Sequence, residues 1–400
     1  MARAWIYDRS ESIGYQEQVA RAKAAKRKPP GRWMVLHLDK ASKQRSRTFA
    51  TKTSAETYYM ALLASIEANT YVDPAAGKVK FAEIAEKWLE SRHDLRESTW
   101  WKYRGLLDNH VIPRWGDLPV NAIDTEDISV WVAKLLKSSS EGGSGLGPSQ
   151  ARHALRVLSM VLKWCVPKRL PSNPARGVKA PVLPDAEHIY LSYAQVEKLA
   201  DSAGNLRTKY NQPTASAAVN RALILLLAYT GLRWGEAASL RISRIDLARR
   251  RIRVVCTFYE VGGVQKEGPT KTGKSRTVGF PAFLVPILAE LIGERPGDEL
   301  LFLTKRGQSL RANNWRVREF NAAVTAADLA VKGLTPHKLR HTAASLAIAA
   351  GADVKVVQLM LGHRDAAMTV NIYGHLWPDR LDEVADVLDE RRRSALALAA

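Results

Sequence analysis

Cysteine is almost missing. Two residues, Cys165 and Cys256, stand far apart in a chain of 400, each next to apolar neighbours. That excludes a disulfide framework and reads as two reduced core thiols in a cytoplasmic protein. No CxxC or HExxH spacing occurs, so no metal is expected. No GxxxxGKS/T loop occurs, so no ATP use is expected. Long apolar runs are missing too. The longest, ALILLLAY (222–229), falls far short of the ~20 residues a membrane span needs. The opening MARAWIYDRS lacks the apolar stretch of a signal peptide. Acidic residues are in deficit: 40 Asp and Glu face 60 Lys and Arg, a formal net charge of +20 at pH 7. There is no isolated basic amphipathic helix and no lipidation motif, so the excess points to nucleic acid rather than to a membrane surface.

What is present supports real cores: 46% of residues are apolar, and the length fits two or three domains. The first 70 residues carry 13 Lys and Arg against 6 acids. Within them RWMVLHLD (32–39) alternates as a strand does, SRTFAT (46–51) suits its hairpin partner, and 53–69 has helical spacing with Ser54 as a cap. A small basic sheet with one helix suits insertion into a DNA groove; the plainer reading is a solvated basic face on a minor domain. TYVDPAAGK (70–78) reads as a linker. Apolar stripes then predict helices over 81–92, 98–112 (cap Ser98), 125–138 (cap Thr125) and 148–166, with a flexible loop at 138–147. The stretch 177–190 reads as a second linker. Beyond it, 193–204 and 216–233 are helical, 250–260 and 274–280 are β-rich, and helices follow to the end.

Five polar elements stand in this last region. TGLRWGE (230–236) places Arg233 after a helix break, with Glu236 three residues on. PTKTGKSRTV (269–278) puts Lys271 at the expected tip of a β-hairpin. HKLRHT (337–342) puts His337 and Arg340 on one helical face. LGH (361–363) ends in His363, and Tyr373 lies ten residues beyond. Each has a plainer reading. Arg beside Glu is ordinarily a structural ion pair, and a lysine at a turn is ordinarily solvated. Gly-His is ordinarily a helix end, and Tyr among Ile and Val is ordinarily packed core. As a set they supply phosphoryl transfer without a metal. Two guanidiniums grip the nonbridging oxygens. A lysine protonates the leaving sugar oxygen, histidines hold or move protons, and a tyrosine stores the bond as an ester, so religation needs no ATP.

In order and spacing, these five motifs resemble those of tyrosine recombinases, in particular lambda-type phage integrases with an N-terminal arm-binding domain. The resemblance implies a mostly α fold with small β elements in three domains. These are a small β-sheet-plus-helix arm-binding domain (1–70), a four-helix SAM-like core-binding domain (78–180) and a mixed α/β catalytic domain (188–400). The two larger domains are expected to close on DNA as a C-shaped clamp. It implies that Arg233 and Arg340 bind the phosphate, supported by Glu236. Lys271 is the general acid, with Lys274 the alternative because the turn register is open. His337 and His363 assist, and Tyr373 is the nucleophile. His341 reads as structural, and His375, in a second Gly-His, is set aside in favour of His363. The implied partners are double-stranded DNA at core and arm attachment sites, three further copies in a tetramer, an excisionase and a host DNA-bending protein. No cofactor and no membrane are implied, and the implied location is the bacterial nucleoid. The terminal helical pattern (381–400) is expected to pack on a neighbouring protomer or in cis. A transposon or resolvase-type recombinase, a type IB topoisomerase, and a non-catalytic DNA-binding regulator on an integrase scaffold are the alternatives.

Overall fold

The computed structural model describes residues 4–38, 44–68, 71–72, 75–184, 188–207, 214, 216–329, 331–377 and 381–398. Parts of both expected linkers, at 70, 73–74 and 185–187, lie outside the described residues. Two compact units divide the chain, residues 1–185 and 186–400.

The first unit holds two separate apolar cores. Near its start, β1 (Ala4–Asp8), β2 (Trp33–Leu38) and β3 (Gln44–Phe49) form an antiparallel sheet in the order β1-β2-β3. The strand β1 and a helix Ile13–Ala24 add to the hairpin and single helix that the sequence predicts. Helix Lys52–Glu67 covers the sheet, sealing Val35, Ala55 and Leu62 against Ile6, Trp33, Phe49 and Tyr58. Its N-cap is Thr51, not Ser54: the Thr51 hydroxyl accepts from the Ser54 amide at 3.3 Å. Two basic side chains here have internal partners. Arg47 lies over the Phe49 and Tyr58 rings, and Arg32 pairs with Asp8 at 2.7 Å.

The second core of this unit belongs to a helical bundle: Phe81–Glu90, Glu97–Leu106, Thr125–Leu136 and Pro148–Trp164. Trp88, Trp115, Trp131, Ile84, Leu158 and Leu162 fill its centre. The predicted caps shift by one or two residues. Asp124, extended and with a carboxylate as acceptor, takes the Asp127 amide at 2.8 Å, so Thr125 is the first helical residue. Arg96 precedes helix Glu97–Leu106 without a side-chain cap, leaving Ser98 inside its first turn.

The second unit is built around helix Ala217–Thr230. Its Leu223 to Ala228 are all buried, as a helix apolar on every side must be. Helices Tyr193–Gly204, Leu284–Ile292 and Pro336–Ala349 pack around it. Five strands follow in order: β4 (Ile245–Asp246), β5 (Arg251–Val254), β6 (Cys256–Val261), β7 (Val264–Pro269) and β8 (Arg276–Gly279). They form two sheets, β4-β5-β8 and the hairpin β6-β7. This corrects the expected setting of Lys271. The hairpin tip is Gly262-Gly263, and 270–275 is the connection that carries the chain from one sheet to the other. Pro269, lacking an amide hydrogen, stands at the end of the β6-β7 ladder. The Thr270 hydroxyl then donates to the Lys274 carbonyl at 2.7 Å and closes the turn. Helices Val354–Leu361, Ala366–Tyr373 and Leu381–Ala397 complete the unit. The last presents exposed side chains along its described length, including Val384 and Leu388.

Candidate active site

The site begins where the central helix stops. Gly231 has φ +65°, and a Cβ there would come within 2.6 Å of the Leu361 side chain. The turn places Arg233 at the head of helix Trp234–Ala238. Its backbone amide donates to Glu236 Oε2 and its Nη1 to Oε1, both at 2.9 Å. From β8, Arg276 grips the same carboxylate with Nη1 and Nη2 at 2.9 and 2.7 Å. Glu236 is 2% exposed. Burial opposes its charge, but the hydrogen bonds and charges of Arg276 and Arg233 prevail and hold the carboxyl below its ordinary range.

Three guanidiniums then converge on one helix end. Helix Val354–Leu361 terminates at Gly362, whose φ is +65°. The last carbonyls of a helix have no internal partner and carry the negative end of its dipole. Arg276 Nε donates to the Met360 carbonyl at 3.2 Å, Arg340 Nη2 to Leu361 at 2.6 Å and Arg233 Nη2 to Gly362 at 3.5 Å. Arg340 also donates through Nη1 to the Gly231 carbonyl at 2.5 Å. It is 4% exposed, and burial together with the charge of Arg233 pushes its guanidinium down to about 9. It still carries its proton at neutral pH.

His337, an exposed residue, lies one turn before Arg340 on helix Pro336–Ala349. Burial, then the charges of Arg340, Arg233, Lys338 and Lys271, lowers its proton affinity. The charge of Lys271 is thus felt at His337, while both Lys271 and Lys274 are exposed. His363 follows Gly362, bonds Thr369 Oγ1 through Nδ1 at 2.9 Å, and is pushed down to about 4 by burial and by Arg340. Its ring lies parallel to that of Tyr373, 6.4 Å away. Tyr373 ends helix Ala366–Tyr373, is 1% exposed, and is pushed up to about 12 by burial against the pull of Arg340. Its hydroxyl lies 2.8 Å from His341 Nδ1.

The fold therefore gathers Arg233, Glu236, His337, Arg340, His363 and Tyr373, with Lys271 at the rim. His375 stands apart from this group, 3.3 Å from the Tyr190 hydroxyl and stacked near His188. Two residues join the site that sequence reasoning did not place there, Arg276 and His341. Among the described residues no group of three His, Cys, Asp or Glu is arranged to hold a metal ion, and no helix is long and apolar enough to cross a membrane.

Residues 190–380 match the phage integrase family, and residues 80–136 match the phage integrase N-terminal SAM-like domain. The integrase of Mycobacterium phage D29 is 30% identical over 335 residues, covering 81% of this chain and 80% of that protein. The chain belongs to the phage integrase family. This integrase is also similar to the tyrosine recombinase XerD of Haemophilus influenzae, 27% identical over 304 residues, which covers 74% of this chain and 93% of XerD. Two solved structures share the fold. The Tn1549 transposon integrase in complex with a circular intermediate DNA aligns with a TM-score of 0.64 at 20% identity, over 78% of this chain and 99% of that one. The lambda integrase dimer bound to a COC′ core site aligns at 0.55 and 18%, over 87% and 93%. The integrase is a site-specific tyrosine recombinase, mostly α with small antiparallel sheets.

Proposed function

We propose that this recombinase cuts and rejoins DNA through a 3′-phosphotyrosyl link at Tyr373, inserting a phage or mobile element and, with a directionality factor, removing it. The observation that carries the reading is the burial of Tyr373 between His341 and His363, beside an Arg340 tethered to the same helix end as Arg233. In this reading Arg233 and Arg340 hold the nonbridging oxygens of the scissile phosphate and stabilise the charge that develops there. Both guanidiniums are positioned in advance by carbonyls and by Glu236, so little reorganisation is left for the reacting state. His337 and His363 supply further hydrogen bonds. Lys271 protonates the departing 5′-oxygen, with Lys274 in the same 270–275 connection as the alternative.

Residues 1–70 act at arm sites, 78–180 at the core site and 188–400 in catalysis. The working assembly is a tetramer on two duplexes, with an excisionase and a host DNA-bending protein as accessory partners. The basic composition supports duplex DNA as the partner.

The test is a Tyr373→Phe variant incubated with attachment-site duplex. Duplex binding is expected to survive and covalent protein–DNA adducts to disappear. Adducts that persist in this variant refute the reading.

A further inference from the structure

The mechanism above leaves one proton without a destination. A phenol attacks phosphorus only as its hydroxyl proton leaves, and the Tyr373 hydroxyl is sealed from bulk water, at 1% exposure. Among the described residues, one nitrogen stands within hydrogen-bond reach of it. His341 is on helix Pro336–Ala349, one residue past Arg340, and so points about 100° round the helix from it. Its Nδ1 is 2.8 Å from the Tyr373 oxygen. The two rings are tilted, with centroids 5.6 Å apart.

We propose that His341 is the general base that takes the hydroxyl proton of Tyr373, and that it returns this proton on religation. The inference rests on the phosphotyrosyl reading above and adds the group that activates the nucleophile.

The surroundings keep the imidazole unprotonated before DNA arrives. His341 is faced by His337, Lys338 and Arg340 from its own helix, by Tyr373 from helix Ala366–Tyr373 and by His188 from the segment before Tyr190. Burial and these cationic or proton-binding neighbours hold it down to about 4, so at neutral pH the imidazole is unprotonated and Nδ1 can accept. The role requires the tautomer with its proton on Nε2, in which Nδ1 accepts from the Tyr373 hydroxyl. Entry of a phosphodiester adds negative charge beside the same imidazole and raises its basicity when it is needed.

The step balances. The Tyr373 O–H bond breaks as the O–P bond forms, and the Nδ1 lone pair takes the proton. The P–O5′ bond breaks with its electron pair on O5′, which takes a proton from the Lys271 ammonium. Religation runs each transfer in reverse.

The experiment measures single-turnover adduct formation on a nicked core-site duplex, recovered by sequencing wild-type adduct junctions. The nick lets a short oligonucleotide escape and traps the adduct. The wild-type rate is expected to be flat between about pH 6 and 8, because the base is already unprotonated. His341→Gln is expected to slow adduct formation by about 10²–10⁴ and to make the rate rise with pH, as solvent hydroxide replaces the base. In His341→Gly, added imidazole is expected to restore adducts in proportion to its concentration, a rescue that a purely structural histidine does not give. His341→Gln reacting at the wild-type rate with a flat pH profile overturns the assignment. So does a His341→Gly variant that binds the duplex normally and ignores imidazole. Adducts in Tyr373→Phe sink the phosphotyrosyl reading itself, a different failure from either of these.

Discussion

Arg276 holds both carboxylate oxygens of Glu236 in a fork, at 2.9 and 2.7 Å, while Glu236 is all but sealed from solvent. The same carboxylate carries the amide and guanidinium of Arg233. One buried anion thus fixes two cations, and both cations continue to the end of helix Val354–Leu361. Without Arg276 the carboxylate loses its main partner and stays buried. Arg276→Ala is expected to destabilise the second unit by about 3–5 kcal/mol, and Arg276→Lys to recover only part of this because an ammonium has no fork. Urea melts of the three proteins measure it. A change under about 1 kcal/mol in the alanine variant would mean that the pair is dispensable.

Gly362 meets two demands at once. Its φ of +65° ends the helix, and a Cβ there would stand 2.8 Å from Arg276 Cδ, with its own carbonyl reached by Arg233. Gly362→Ala therefore strains the backbone by about 1–2 kcal/mol and pushes on two of the three arginines. Adduct formation is expected to fall more than stability does, since a misplaced guanidinium costs the reacting state directly. Rates and melting on one preparation separate the two. A variant less stable but equally fast argues against a shared anchor.

Much of the site was legible because its residues sit at breaks in pattern. Arg233 follows a glycine at a helix stop, and His337 and Arg340 share a helix face. Gly-His precedes the tyrosine at short range. Arg276 was not legible. In RTVG a charged residue alternates with an apolar one, as on any half-solvated strand, and nothing local says that its partner lies 40 positions back. In sequence, His341 reads as structural because it is adjacent to Arg340. Yet adjacent residues on a helix point about 100° apart, and what faces His341 arrives 32 residues later. The setting of Lys271 is hidden from the sequence for a third reason. Strand pairing is a long-range choice, and β8 pairs with β5 rather than with its neighbour β7. The predicted helices survived with shifts at their caps, since Thr51 and Asp124 compete with equally good cap residues nearby.

The histidines give the second unit a pH signature whose sign follows from their burial. His341 and His363 are held near 4 in the fold against an ordinary 6.5, and His337 is lowered in the same direction. Above 6.5 both folded and unfolded chains leave these imidazoles neutral. As pH falls below that value the unfolded chain binds protons that the native site refuses, so stability drains away until the folded groups titrate near 4. Partial solvent access limits His341 and His363 to roughly 1–2 kcal/mol each. Glu236 adds a later loss of the same sign, because its carboxyl, held below the ordinary 4.5, gives up stability as pH falls below that value. The Tm is therefore expected to be level above about pH 7, to fall steadily towards pH 4, and to fall less steeply in His363→Gln. Calorimetric scans across that range measure it. A level Tm down to pH 5 would mean that the imidazoles protonate freely in the native state, and that the cationic environment around Tyr373 is far better solvated than its burial implies.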